Sequence, residues 1–199
     1  MTDQNDDRYK ERMARRKTKI DERIAKSDED RGVLVVLTGN GKGKSSSAFG
    51  MVARCLGYEM PCAIVYFIKS RETGELLLFR DLPGVEVHLM GEGFTWETQD
   101  KERDQKAAAR AWEISAKHLQ DPGISLVVLD ELCIALSKGM LELPPVLEAL
   151  RNRPHDQHVV ITGRGAPQEL MDLADTVSDV RTVKHAFQAG VKAQRGIEL

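Results

Sequence analysis

The stretch Val33-Leu34-Val35-Val36-Leu37-Thr38-Gly39-Asn40-Gly41-Lys42-Gly43-Lys44-Ser45-Ser46-Ser47 decides the fold of this chain. A run of aliphatic residues leads into a glycine-rich turn, and the turn leads into Gly43-Lys44-Ser45. Glycines let a backbone curl so that successive N–H groups point at phosphate oxygens, and the start of a following helix adds a partial positive charge. The order of strand, turn and helix therefore predicts a phosphate-binding P-loop.

Individual positions of this loop have predicted roles. Lys44 is expected to reach the outer phosphates, and the Ser45 hydroxyl to bind the accompanying metal ion, Mg²⁺ or Mn²⁺. Thr38 stands where the usual pattern has its first glycine, so we expect the loop to close slightly differently. An ordinary glycine-rich turn is the alternative, which the register of the lysine disfavours. The other residues expected to contact the nucleotide are Gly39, Asn40, Gly41, Lys42, Gly43 and Ser46.

Short apolar runs alternate with helical segments along the rest of the chain. This alternation predicts an α/β fold whose mainly parallel sheet is covered by helices on both faces. Ligands bind such sheets at the carboxyl ends of the strands, and the polar residues discussed here fall at such ends. We therefore predict a single site. The predicted strands are Val33–Leu37, Ala63–Ile68, Val85–Met90, Leu126–Glu131, His158–Thr162 and Thr176–Val183.

Two further strand ends carry charged residues. Asp130 and Glu131 close a continuous aliphatic strand, as in a Walker B element, and Arg164 follows the next strand along the chain. We expect Asp130 to hold the metal through water while Ser45 binds it directly. Glu131 is expected to orient a reactant or contact the nucleoside, and Arg164 to contact the nucleotide. The alternative is that both acids only cap a helix.

Phe94 and Trp96 lie in a polar, glycine-rich loop of a chain with only 5% aromatic residues. They either fold back into the core or form an apolar wall for a flat or bulky ligand. The residues alone leave both interpretations open.

His88, His158 and His185 are not predicted to ligate a metal. His88 and His185 have no partner at metal-binding spacing in the sequence. Asp156 and His158 match the start of the D-x-H-x-x-G metal-binding motif, but Ile161 occupies the glycine position and His158 opens a strand. Structural roles are therefore expected for these histidines. The three cysteines lack a C-x-x-C pair and are expected to be small apolar core residues.

The 199-residue chain has a formal net charge of −2, which carries no electrostatic signature of nucleic-acid binding. No apolar run is long enough to cross a membrane, and charged and polar residues follow Met1 in place of a signal peptide. We therefore expect a cytoplasmic protein with neither nucleic acid nor membrane as a partner. Residues 1–31 are expected to form a charged amino-terminal segment, and residues 32–199 a single domain.

Within the amino-terminal segment, Tyr9, Met13, Ile20 and Ile24 recur at helical spacing. This spacing predicts a helix with a thin apolar stripe. The segment is either a solvated, partly helical tail or a helix that docks over a partner subunit or a filled active site, and the sequence leaves both open.

With these residues assembled, the chain resembles the P-loop type corrinoid adenosyltransferases, which act on cob(I)alamin or cob(I)yrinic acid a,c-diamide. The P-loop alone is shared by many enzymes, but its Gly-Asn-Gly-Lys-Gly-Lys form combined with the other stretches is specific. Ser45 and Ser46 stand where many members carry threonines, which keeps the hydroxyl. The matching stretches are Thr38–Ser45, Gly93–Glu97, Leu129–Glu131, Thr162–Ala166 and His185–Glu198.

The resemblance implies a RecA-like P-loop NTPase fold, usually in a homodimer. It implies transfer of the 5′-deoxyadenosyl group of ATP to the Co(I) of a corrinoid, with release of triphosphate, in adenosylcobalamin biosynthesis or salvage. Because Co(I) is the nucleophile, no catalytic base is needed, and positioning and charge neutralisation are the main contributions of the protein. Lys42, Lys44, the loop amides and the metal would stabilise the departing triphosphate. A flavodoxin-like protein is the implied reductant.

The resemblance also assigns Phe94 and Trp96 to the lower face of the corrin, where they keep the axial ligand away from cobalt. An axial ligand raises the energy of the orbital that must accept an electron, so its removal makes Co(II) easier to reduce. The amino-terminal helix is then expected to close over the corrinoid and exclude water.

Two rival functions remain open at this point. A generic P-loop NTPase or small-molecule kinase would cleave or transfer the γ-phosphate and yield orthophosphate or ADP. A non-catalytic nucleotide-binding module would need only Gly39–Ser45 and would leave Phe94 and Trp96 unexplained.

Overall fold

The computed structural model describes residues 3–68, 72–89 and 101–197. The described chain consists of seven α-helices, six β-strands and one short 3-10 helix. In chain order these are α1 Asp3–Ile24, β1 Leu34–Thr38, α2 Lys44–Gly57, β2 Cys62–Tyr66, α3 Gly74–Phe79, β3 Val85–Leu89, α4 Lys101–His118, β4 Leu126–Asp130, α5 Leu132–Ser137, α6 Leu143–Arg151, β5 His158–Thr162, α7 Gln168–Leu173, β6 Thr176–Asp179 and the 3-10 helix Ala186–Ala189.

The chain divides into two compact units, residues 1–31 and residues 32–199. The first unit contains α1, a single helix that carries all four residues of the predicted apolar stripe. Its charged side chains include Arg12, whose guanidinium lies 5.6 Å from the centre of the Tyr9 ring. A cation at this distance from an aromatic face is weakly attracted to it.

In the second unit, the six strands form one sheet in the order β3-β2-β4-β5-β1-β6. All five strand pairs are parallel. The strand β1, which leads into the P-loop, is separated from β4 by β5. The predicted α/β fold with a parallel sheet and a RecA-like P-loop arrangement is confirmed.

Helices cover both faces of this sheet, as predicted. Side chains on one face, including Val65 and Leu129, pack with residues of α4, α5, α6 and α7. Side chains on the other face, including Ile64 and Val128, pack with residues of α2 and α3. Because both faces are buried, the strands need continuous aliphatic sequences, which explains why they were recognisable as apolar runs.

The sequence missed α5 and placed the end of β6 too late. Strand β6 ends at Asp179, not at Val183, because the carbonyl of Val180 turns to accept a hydrogen bond from Gly41 N–H. The cysteine prediction is confirmed for Cys62 and Cys133, which are buried, whereas Cys55 is half-buried.

A buried glutamine fixes the turn that connects α4 to β4. The Gln157 side-chain amide donates to the carbonyls of His118, Asp121 and Ile124 at 2.9, 3.1 and 3.0 Å. Gln157→Leu leaves these carbonyls without that donor, so we expect unfolding free energy to fall by about 2–3 kcal/mol in denaturant titrations. The exposed Gln120→Leu should change it by less than about 0.5 kcal/mol. Equal stabilities of the two variants would contradict this role.

Candidate nucleotide site

The loop between β1 and α2 requires glycine at specific positions. Gly39 and Gly43 have φ angles of 95° and 115°, a region that side chains with a Cβ rarely adopt. A Cβ on Gly39 would overlap the Asp179 side chain and lie 2.5 Å from the Val180 carbonyl oxygen. Nothing lies within 4 Å of a Cβ built on Gly43, so its backbone faces open space. These positions let the loop turn sharply and expose its N–H groups.

The segment after β6 holds the loop from one side. Val180 N–H donates to the Thr38 carbonyl at 2.8 Å, and Gly41 N–H donates to the Val180 carbonyl at 2.6 Å. The Thr182 hydroxyl donates to the Asn40 carbonyl at 3.1 Å. Three bonds from one segment therefore fix the loop backbone in place.

Thr38 explains how the loop closes without its first glycine. Its hydroxyl oxygen accepts a hydrogen bond from Ala166 N–H at 3.3 Å. Ala166 belongs to the loop after β5 that also contains Arg164. The threonine thus ties the phosphate loop to this second loop through a bond that a glycine at this position could not make.

Lys44 lies at the start of α2, with only 8% of its surface exposed. Its Nζ donates to the carbonyls of Gly39 and Gly41 at 2.8 and 2.7 Å. Burial lowers the pKa of Lys44 and nearby Arg164 lowers it as well, whereas Glu131 and Asp130 raise it. The ammonium group is therefore held in the loop, within the field of both predicted Walker B acids.

Asp130 and Glu131 are arranged by Thr162, the last residue of β5. The fully buried Thr162 hydroxyl donates to Asp130 Oδ1 at 2.7 Å and accepts a hydrogen bond from Glu131 N–H at 2.9 Å. Glu131 has a φ of 66°, a left-handed conformation that is uncommon for a residue with a side chain. Such strain is typical of positions whose side chain must point in one direction.

A cavity of about 610 Å³ opens in front of the loop. It is open to solvent and has both polar and apolar walls, which suits a nucleotide. The residues that line it are Asn40, Gly41, Lys42, Gly43, Lys44, Ser45, Ser46, Thr73, Gly74, Glu75, Leu78, Glu131, Arg164, His185, Gly196 and Ile197.

Most of the predicted nucleotide contacts lie on this cavity. Two do not line it: Gly39, at the start of the loop, and Asp130, which is fully buried. Phe94 and Trp96 lie outside the described residues.

Sequence reasoning missed several lining residues. Thr73 precedes α3, and Glu75 and Leu78 belong to this helix. No local pattern marks these residues as ligand contacts. His185, Gly196 and Ile197 belong to the carboxyl-terminal stretch that carried part of the family resemblance, and this resemblance was the available signal.

The three histidines His88, His158 and His185 have hydrogen-bond partners in the structure. His158 Nδ1 accepts a hydrogen bond from Val33 N–H at 3.0 Å, and His185 Nδ1 accepts one from Phe187 N–H at 3.2 Å. Both therefore have structural roles. His88 has no partner at metal-binding spacing in the sequence, but the fold brings the His118 ring to hydrogen-bonding distance, with 2.9 Å between the two Nε2 atoms.

Known families match both units of the chain. Residues 30–199 match the family model described as ATP:corrinoid adenosyltransferase BtuR/CobO/CobP. The chain belongs to this family. Residues 1–24 also match a model described as cob(I)alamin adenosyltransferase N terminal.

Curated corrinoid adenosyltransferases match the chain over nearly its whole length. The corrinoid adenosyltransferase of Pseudomonas aeruginosa is 56% identical over 197 residues, which cover 98% of this chain and 97% of that protein. Corrinoid adenosyltransferase CobA of Salmonella typhimurium is 47% identical, and the match covers 98% of this chain and 99% of that protein. The corrinoid adenosyltransferase of Escherichia coli K12 is 45% identical, and the match also covers 98% of this chain and 99% of that protein.

Within the described ranges, no helix is both long and apolar enough to span a membrane.

Proposed function

We propose that this corrinoid adenosyltransferase transfers the 5′-deoxyadenosyl group of ATP to the Co(I) centre of a corrinoid substrate. The electron pair of Co(I) forms the new bond to C5′, the bond from C5′ to the α-phosphate oxygen breaks, and triphosphate leaves with that electron pair. Cobalt ends as Co(III). Family membership supports the reaction, and the placement of Lys44 inside a phosphate loop is the structural observation that carries it.

The protein contributes positive charge and hydrogen-bond donors where the leaving group gains negative charge. Lys44, Lys42 and Arg164 line one cavity with the loop backbone. Donors fixed before the reaction stabilise a developing charge without reorganisation, which is commonly a large term in catalysis. These groups play the same role here as in phosphoryl transfer. In both reactions the protein mainly positions the reactants and neutralises the charge of the phosphates.

Mg²⁺, or Mn²⁺ in its place, is part of the proposal. Ser45 and Asp130 are its proposed protein ligands, Asp130 through water. The donor set consists of a hydroxyl at the start of α2 and a carboxylate at the end of β4, and oxygen atoms of these kinds are the ligands that a hard cation prefers. When bound, the ion neutralises phosphate charge. The hydrogen bond from Thr162 orients the Asp130 carboxylate for this purpose.

Thr162→Val tests that orientation, because valine keeps the shape and removes both hydrogen bonds. We expect the Mg²⁺ concentration for half-maximal adenosyl transfer to rise about tenfold or more, and unfolding free energy to fall by about 1–3 kcal/mol. Thr162→Ser should restore the metal requirement, and the exposed Thr176→Val should resemble the wild type. An unchanged Mg²⁺ requirement in Thr162→Val would show that the threonine serves stability alone.

We propose that α1 contributes to corrinoid binding as a lid. The match of residues 1–24 to an adenosyltransferase amino-terminal model supports this role. Deletion of residues 1–30 should weaken corrinoid binding in equilibrium titrations by a larger factor than it weakens ATP binding. Equal effects of the deletion on the two affinities would instead favour the interpretation of the segment as a solvated tail.

The proposal further includes a cytoplasmic homodimer that receives electrons from a flavodoxin-like protein. Phe94 and Trp96 are proposed to occupy the lower face of the corrin. Light scattering on the purified chain measures the oligomeric state directly.

Product analysis tests the reaction itself. Protein, ATP, Mg²⁺ and chemically reduced cobalamin should yield the light-sensitive adenosylcobalamin spectrum and one triphosphate for each corrinoid adenosylated. A generic NTPase or kinase would instead yield ADP or orthophosphate. Cleavage of ATP to ADP without a new corrinoid spectrum would refute the proposal.

A further inference from the structure

A second group of ligand-type side chains lies away from the nucleotide cavity. Glu86 and His88 are on β3, the edge strand of the sheet, and His118 is the last residue of α4. Strand β2 lies between β3 and β4, the strand that carries Asp130. None of the three residues lines the cavity in front of the P-loop.

The fold places the three side chains on one face of the sheet. Residues two apart on a strand point to the same side, so Glu86 and His88 face together. Their partners on β2 are Ala63 and Val65, which pack in the same core as Ala111 of α4 and Leu119 just after it. The strand and the end of the helix therefore meet at the margin of this core.

The ligand atoms converge on one point. His118 Nε2 lies 2.9 Å from His88 Nε2, and Glu86 Oε2 lies 3.8 Å from the His88 nitrogen and 3.9 Å from the His118 nitrogen. A point in the plane of these three atoms is about 2.1 Å from each of them, and zinc bonds to nitrogen and carboxylate oxygen are about 2.0–2.2 Å long.

The three side chains also differ in how far they are exposed to solvent. The His118 side chain is 11% exposed, that of His88 29% and that of Glu86 61%. A bound ion would thus have two partly dry imidazole ligands on the inside and a carboxylate toward solvent, with water able to complete a four-coordinate shell.

His118 is held in position independently of any ion. The Gln157 amide donates to its backbone carbonyl at 2.9 Å, and the adjacent Leu119 is fully buried. A ligand whose backbone is fixed loses little conformational freedom when it binds, which favours a preformed site.

We propose that Glu86, His88 and His118 form a binding site for a divalent transition ion of the zinc type. Two imidazoles and one carboxylate are a known zinc donor set. The ion would join the edge strand β3 to the end of α4, and its function would be to fix these two elements to each other. This site is separate from the Mg²⁺ site proposed for the nucleotide.

The probe is Zn²⁺ itself, titrated against a chromophoric chelator into tag-free, nucleotide-free full-length protein. We expect one Zn²⁺ per wild-type chain. His88→Gln should lower the Zn²⁺ affinity at least about 100-fold, because it removes a direct ligand. Loss of a residue that only hydrogen-bonds to a metal ligand already costs about 10- to 100-fold in affinity. Glu86→Gln should lower it by a smaller factor. His155→Gln removes an exposed histidine that sits beside an acid, Asp156, and is the matched control that should keep the wild-type affinity.

Thermal unfolding gives a second readout. A ligand that binds only the folded chain raises the midpoint, so Zn²⁺ should raise it for the wild type and His155→Gln but not for His88→Gln. Glu86 and His88 are partly exposed, so their variants should fold. His118 is nearly buried and is left unchanged, because these two variants already test the site. Wild-type binding no tighter than that of His88→Gln, or equal losses in His88→Gln and His155→Gln, would overturn the proposal.

Discussion

Lys44→Ala is expected to lower kcat for adenosyl transfer at least about 100-fold, the cost of losing one fixed charge contact to a developing anion. The change removes the ammonium group that lies in the phosphate loop, 2.8 Å from the Gly39 carbonyl and 2.7 Å from that of Gly41. Charge on the triphosphate grows as the C5′–O bond breaks, so the loss should fall on kcat more than on the KM for ATP. Steady-state rates with chemically reduced cobalamin measure both.

Two controls separate this effect from misfolding. Lys117→Ala removes an exposed lysine of α4 outside the cavity and should leave both kinetic constants near wild type. The thermal midpoint of Lys44→Ala should fall, because two hydrogen bonds to loop carbonyls are lost, but the variant should remain folded at the assay temperature. Near-normal turnover in Lys44→Ala would mean that the loop does not hold the leaving group.

Phe94→Ala and Trp96→Ala are expected to abolish activity that starts from Co(II) with a mild reductant, while much of the activity from Co(I) survives. The proposed reason is that these rings displace the axial ligand, which makes the reduction of Co(II) accessible. The ratio of the two rates is the measurement, taken with the thermal midpoint of each variant. We expect a collapsed ratio at a nearly normal midpoint.

A buried aromatic residue, Phe79, serves as the control for a purely structural role. Phe79 is 4% exposed and packs against Phe49 with ring centres 6.0 Å apart. Phe79→Leu should lower the midpoint and leave the ratio of the two rates unchanged. If Phe94 and Trp96 only fill core, their truncation should instead cost about 3–5 kcal/mol and behave like Phe79→Leu. An unchanged ratio with a large fall in midpoint would exclude the axial-ligand role.

The sequence was sufficient for the strands and the phosphate loop because their signals are local. A parallel sheet buried on both faces requires unbroken aliphatic runs, such as Leu126–Leu129, and the loop requires glycine and lysine at fixed spacing. Helix α5 was not among the predicted elements, because the acids before it were interpreted mainly as a Walker B element. Glu131 is indeed the N-cap residue of α5, as in the alternative interpretation, but its side chain makes no cap hydrogen bond.

The contacts that complete the site could not be predicted, because they join distant parts of the chain. The Thr38 hydroxyl meets Ala166, and Thr162 arranges Asp130 and Glu131, only after the strands have adopted their order in the sheet. The pairing of His88 with His118 likewise depends on where α4 ends relative to β3. Spacing along the sequence contains none of this information, so it could not show that His88 meets His118.

The bracing of the phosphate loop by Val180 has a consequence for biosynthesis. Strand β1 is made early on the ribosome, yet both of its neighbours in the sheet, β5 and β6, come from residues 158–179. Pairing between such distant segments is slow to form, and Gly41 has its backbone partner only after Val180 has been translated. A nascent chain should therefore be unable to capture ATP until Val180 has been synthesised. Translation order thus delays nucleotide binding until both neighbours of β1 exist.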